Sequence, residues 1–278
     1  KPKNTEEVER FRRVFEPSLR YALMVKEPDS AQVLVESKAV TSLGEVTQED
    51  LLLSYRGSRI SAVLWYQSGA RSRPAVLLVH PQGTSAFIEM TTNRPGALVK
   101  DLLRRKFSVL TIDTFKSSSI SADSRIKERG NFFSTYNRSD DAKRIQDILT
   151  ALVYLEGRRG ISGVNLVGVE RGGLLCLLAR GLTSKVKGLV ADTQQFNIDD
   201  DQRYLRDFSL PGIRRAGDFR TAVTLSSPER LLLHNTGGSS LVLWAQDVYK
   251  ATGFQDNLEV RDGKVSEKDL VRWLQSLR

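Results

Sequence analysis

The chain is poor in the residues that build metal centres and cross-links. Its 278 residues include one cysteine, Cys176, and two histidines, His80 and His234. A single thiol excludes a disulfide framework, and this small donor set argues against a structural zinc site, so no metal is expected. Long apolar runs are missing too. None approaches the roughly 18 residues that cross a bilayer, and the opening KPKNTEEVER lacks the apolar stretch of a secretory signal. A membrane is therefore not expected as a partner. Neither G-x-G-x-x-G nor G-x-x-x-x-G-K-[ST] occurs, so no nucleotide cofactor is expected. The net charge of +9, from 42 basic and 33 acidic residues, raises the question of nucleic acid. The basic residues are scattered in pairs such as Arg104-Arg105 and Arg158-Arg159, with no block interleaved with aromatics. That pattern reads as a basic surface rather than a nucleic-acid interface. The chain begins at Lys1, as a trimmed chain, a mature chain or a piece of a longer one would.

What the chain does have is an ordered alternation of strand-like and helix-like segments. Asn4 with Glu7 has the spacing of a capping box, and Val8, Phe11, Val14 and Phe15 follow at helical intervals. Pro17 is expected to end that helix or start another. Residues 1–30 read as an N-terminal helical arm or linker, and 31–278 as the main domain. Within 46–66, residues 51–55 and 60–66 form a predicted hairpin about Arg56-Gly57. Residues 75–79, Ala-Val-Leu-Leu-Val, are apolar on both faces, as a central parallel strand must be. Further strands are expected at 107–113, 164–169, 186–191, 230–234 and 258–261. Helices are expected at about 96–106, after Ser139, at 172–182, at 241–252 and at 267–277. Residues 114–138 read as a long polar loop, and 193–226 as an irregular charged insertion. The pattern predicts an α/β fold: a mostly parallel central sheet, helices on both faces, and an antiparallel N-terminal hairpin.

Sites in such sheets form beyond the C-terminal strand ends. Those ends carry His80-Pro81-Gln82-Gly83, Asp113, Gly168–Gly173, Asp192 and His234-Asn235. Gly168-Val169-Glu170-Arg171-Gly172-Gly173 stands between a strand and a helix. It has the frame of a nucleophile elbow, in which flanking glycines permit a sharp turn that lifts the central side chain clear of the sheet. With the His-x-x-Gly after residue 79, the strand order and Tyr136-Asn137-Arg138, residues 46–278 resemble the α/β-hydrolase superfamily. The likeness is to bacterial acetyl xylan esterases and dienelactone-hydrolase-like proteins.

The resemblance implies carboxyl-ester hydrolysis without a cofactor, a small ester or carbohydrate ligand, and an extracytoplasmic setting. It also implies an oxyanion hole from the backbone of Gln82, Gly83 and Arg171. The chain departs from the pattern at the nucleophile, where Glu170 replaces Ser or Cys, and in the loop 261–266, which lacks the usual histidine. Cys176 lies six residues past the elbow position, among leucines, and reads as core.

Three readings follow. In the first, the domain has lost hydrolysis and Glu170 is a relic, favoured by about 0.3–1 kcal/mol at a helix N-terminus. In the second, Glu170 is the nucleophile or acid/base and His234 the base, with Asp192 as the triad acid; His234 would reach across about one strand spacing, ~5 Å. In the third, the old cleft binds a sugar, lipid or partner protein, and a second catalytic domain precedes this one in a longer parent.

Overall fold

The structure, a computed structural model, describes every residue except 70, 71, 90, 118–137 and 209. Helix α1 (Thr5–Leu23) is capped by Asn4, whose side chain accepts the Glu7 N–H at 2.9 Å. The Glu7 carboxylate takes the Lys3 N–H instead of closing a reciprocal box. Pro17 sits inside α1 and does not end it, contrary to expectation. Leu19 and Leu23, beyond the proline, are fully buried. Burying two leucines, at about 1.5–3 kcal/mol each, offsets the roughly 3 kcal/mol cost of an internal proline.

Strand β1 (Leu34–Leu43) is an addition to the expected set. It pairs antiparallel with β2 (Val46–Tyr55), which pairs with β3 (Ser58–Gln67). The β2–β3 turn has Arg56 at φ 48° and Gly57 at φ 81°. Two consecutive positive φ values match the right-handed twist of a two-residue hairpin. The chain then runs through β4 (Arg73–Val79), a short ribbon of β5 (Ile88–Glu89) and β6 (Arg94–Pro95), α2 (Ala97–Arg104) and β7 (Ser108–Ile112). Next come α3 (Asp140–Glu156), β8 (Ile161–Gly168), α4 (Arg171–Arg180) and β9 (Val186–Asp192). After α5 (Asp201–Asp207) and α6 (Asp218–Ser226), the chain ends with β10 (Arg230–His234), α7 (Ser240–Ala251), β11 (Leu258–Arg261) and α8 (Glu267–Gln275).

Nine strands form one sheet in the order β1-β2-β3-β7-β4-β8-β9-β10-β11. The six from β7 to β11 are parallel, and β1–β3 are the antiparallel edge. Strand alternation sends side chains into two cores. From β4, Ala75, Leu77 and Val79 enter a large cluster with α1, α3, α4, α6 and α7. Val76 and Leu78 enter a smaller one with α2 and α8. β10 divides in the same way: Leu231 and Leu233 face the large cluster, Leu232 the small one.

Residues 193–226 are more ordered than their charge suggested, because they hold α5 and α6. Phe196 meets Tyr204, Phe208 and Phe219 edge-on, Phe208 meets Phe219 edge-on and Tyr204 stacks on Phe219, with ring centroids 5.0–5.9 Å apart. Most of the loop expected at 114–138, with Tyr136 and Asn137, lies outside the described residues.

Candidate functional site

The C-terminal ends of β4, β8, β9 and β10 converge at one edge of the sheet. Between β8 and α4 the chain makes a sharp turn with Glu170 at its apex, at φ 52° and ψ −138°. Non-glycine residues avoid this conformation, which costs about 1–3 kcal/mol. The packing holds it in place. A Cβ on Gly173 would lie 2.1 Å from the Asp192 carbonyl oxygen, and one on Gly168 would lie 2.5 Å from the Gly172 oxygen. Strand β8 and helix α4 therefore approach more closely than any other residue allows. Val169 N–H donates to Val79 O at 2.9 Å, which ties the turn to the end of β4.

Glu170 faces His80. The Glu170 carboxylate is 3.6 Å from His80 Nε2 and remains half exposed. The reason lies in the sheet order, since β4 is the direct neighbour of β8. His234 ends β10, and β9 lies between β10 and β8. That separation is two strand spacings, ~10 Å, instead of the single spacing expected. His234 instead stands in register with Asp192 on β9. Only the order of strands in the sheet separates the two histidines.

Each histidine uses its Nδ1 as an acceptor. His80 Nδ1 accepts the Gln82 N–H at 3.0 Å, and His234 Nδ1 accepts the Val265 N–H at 3.4 Å. In the neutral ring the proton then sits on Nε2. Burial pushes the His80 pKa down; the Glu170 carboxylate pulls it back, and Lys264 pushes it further down. Burial also lowers His234, opposed by Asp192 and helped by Lys264. Lys264, in the loop after β11, thus acts on both rings, and nothing in the sequence alone singled it out.

Asp192 is buried and anchors the elbow. Its carboxylate accepts the N–H of Glu170 (3.3 Å), the N–H of Gln194 (2.9 Å) and the side-chain amide of Asn235 (2.9 Å). Gln194, Gln195 and Asn235 all have φ near +50°. Backbone strain therefore collects around this carboxylate.

The expected oxyanion donors differ from one another. The Gln82 N–H is taken by His80 Nδ1 and the Gly83 N–H by His80 O. The Thr84 N–H goes to Asp113, at 2.7 Å. The Arg171 N–H, at the start of α4, donates no hydrogen bond among the described residues. The Arg171 guanidinium turns away to Asp141 at 2.7 Å and lies over the Phe208 ring. Among the described residues, no group of three or more His, Cys, Asp or Glu could hold a metal ion. No helix among them is long and apolar enough to cross a membrane. The Cys176 thiol is fully buried, which pushes its pKa well up.

A mostly parallel sheet in this order, with a sharp β8–α4 turn at its centre, is the α/β-hydrolase fold. Solved structures of esterases share it. A Bacteroides fragilis protein proposed to be an acetyl xylan esterase superposes with TM-score 0.72 at 10% identity, covering 98% of this chain and 89% of the other. A glucuronoyl esterase from Solibacter usitatus gives 0.64 at 11%, covering 94% and 91%. Acetyl xylan esterase 1 from Thermoanaerobacterium sp. gives 0.59 at 13%, covering 97% of each. At these identities the likeness defines the fold. No family model matches the chain, and no curated protein matches it in sequence.

Proposed function

We propose that the chain is an α/β-hydrolase domain of esterase type that has lost ester hydrolysis and uses its strand-end cleft for binding. The observation that carries this reading is Glu170 at the apex of the elbow, facing the protonated Nε2 of His80. A serine at a nucleophile elbow is activated by a histidine that takes its proton. Glu170 offers no hydroxyl for a histidine to activate, and attack of a carboxylate on an ester would yield a mixed anhydride, which is more reactive than the ester it came from. Both histidines commit Nδ1 to a backbone N–H, so neither presents a lone pair at Nε2 to take a proton from water. The Arg171 N–H, which donates to nothing among the described residues, the half-exposed Glu170 and the Nε2–H of His80 remain as hydrogen-bonding groups. A small polar ligand, such as a carbohydrate or an intact ester, fits that set.

The test is hydrolysis of p-nitrophenyl acetate by the purified chain and by its Glu170→Ala and Glu170→Ser variants. All three are expected to match the buffer rate; Glu170→Ser supplies a nucleophile but no base. Turnover above buffer that Glu170→Ala abolishes would instead establish a working site built on Glu170.

A further inference from the structure

Away from the strand ends, the outer side of α1 carries apolar residues that are exposed among the described residues. Val14, Tyr21 and Met24 are 58%, 87% and 52% exposed, and Pro17 is exposed as well. Val14, Pro17 and Tyr21 are spaced 3 and 4 apart, as in a seam packing against another helix, and Met24 follows as the left-handed C-cap of α1. The buried side of α1 is already satisfied by Val8, Leu19 and Leu23, so this is a second stripe, without a partner among the described residues. Pro17, Tyr21 and Met24 also line an open groove of about 1220 Å³, whose other wall is formed by 211–216 and by Ser139 and Ala142 at the start of α3.

The charge around the groove is one-sided. Among the described residues its lining includes Arg20, Lys26 and Arg215 and no acidic residue. Arg20 is engaged by Glu16 and by Leu182 O. Lys26 and Arg215 are exposed, and their side chains make no ion pair or hydrogen bond among the described residues. The contrast within 193–226 is sharp. There Arg203, Arg206, Arg214 and Arg220 are all paired with aspartates, and Arg215 is left on the groove. A second copy of this chain would bring the same cations against themselves across a two-fold axis, where like charges repel.

We propose that this groove docks an acidic amphipathic helix of a partner polypeptide. Its apolar face would lie on Val14, Pro17, Tyr21 and Met24, and its carboxylates would reach Lys26 and Arg215. An open trough with an adaptable methionine at its rim suits a helix better than a small enclosed ligand.

The probe is a fluorescein-labelled 18-residue peptide with leucines at 3-4 spacing and glutamates elsewhere. Its control carries lysines in place of the glutamates. Anisotropy titrations are expected to show the acidic peptide binding at least about tenfold tighter than the basic one, with affinity falling as salt rises. Tyr21→Asp, an exposed change that leaves the far-ultraviolet spectrum intact, should weaken binding about tenfold or more. The double variant Lys26→Glu/Arg215→Glu should reverse the preference between the peptides. Equal binding of the two peptides, no binding of either, or indifference to Tyr21→Asp would overturn the proposal. So would a dimer in light scattering that Tyr21→Asp dissolves, because the groove would then be occupied by a second copy.

Discussion

Glu170 and Gly173 show how one turn divides its tolerance between neighbouring positions. Glu170 holds a conformation suited to glycine, with its side chain half exposed beside His80. Gly173 has an ordinary helical backbone and no space at all, because a Cβ there would meet the Asp192 carbonyl at 2.1 Å. Removing the side chain at the first position and adding one at the second should therefore shift stability in opposite directions. Glu170→Gly is expected to raise the unfolding free energy by about 1 kcal/mol, the relief of backbone strain less the entropy gained by the unfolded chain. Gly173→Ala is expected to lower it by about 3 kcal/mol or more, since β9 and α4 must part to admit a methyl group. Urea titrations of the three proteins check both signs.

At the scale of an element, helix α3 holds the chain as it leaves β7. Asp147 on α3 is buried and accepts the Phe115 N–H at 2.8 Å. Burial raises its pKa to about 7, opposed by that N–H and by the charges of Arg138, Arg144 and Lys143. The folded protein therefore keeps this proton at pH values where the unfolded chain, titrating near 3.8, has released it. Between about pH 4 and 7 the folded state binds more protons, so this group removes stability as pH rises. The ceiling of the effect is about 4 kcal/mol. Asp147→Asn cannot ionise and still offers an acceptor to Phe115. Unfolding curves at pH 4, 6 and 8 should show the wild-type protein losing stability relative to Asp147→Asn, with the gap widest at pH 8. A constant gap would mean that Asp147 does not titrate in this range.

Elements also mark what the sequence could reveal. The parallel strands were legible because residues buried on both faces must be apolar throughout, as in 75–79. The sharp turn between β8 and α4 was legible because close strand–helix contact requires glycine. Strand β1 escaped notice because nearly all of it is exposed, so no apolar alternation was required of it. The partner of Glu170 was not legible either: both histidines end strands, and only the order of strands in the sheet separates them.

For the whole molecule, the consequence of interest lies in the two unequal cores on either side of the sheet. The smaller holds α8 through Leu270, Val271, Trp273 and Leu274. The Trp273 indole N–H is buried with no partner among the described residues, a burden of about 1–3 kcal/mol on that side. The sheet edge beneath it, β11, has only four residues and one neighbour. A plate with a thick layer on one face and a thin one on the other should not come apart all at once. In native-state hydrogen exchange, amides of β11 and α8 should open as a unit at a lower free energy than those of β8 and α4, which should open only with global unfolding. Water would reach the thin side first, leaving the elbow and its glutamate intact behind the sheet. The protein would then have a partly open form that still carries the turn at Glu170.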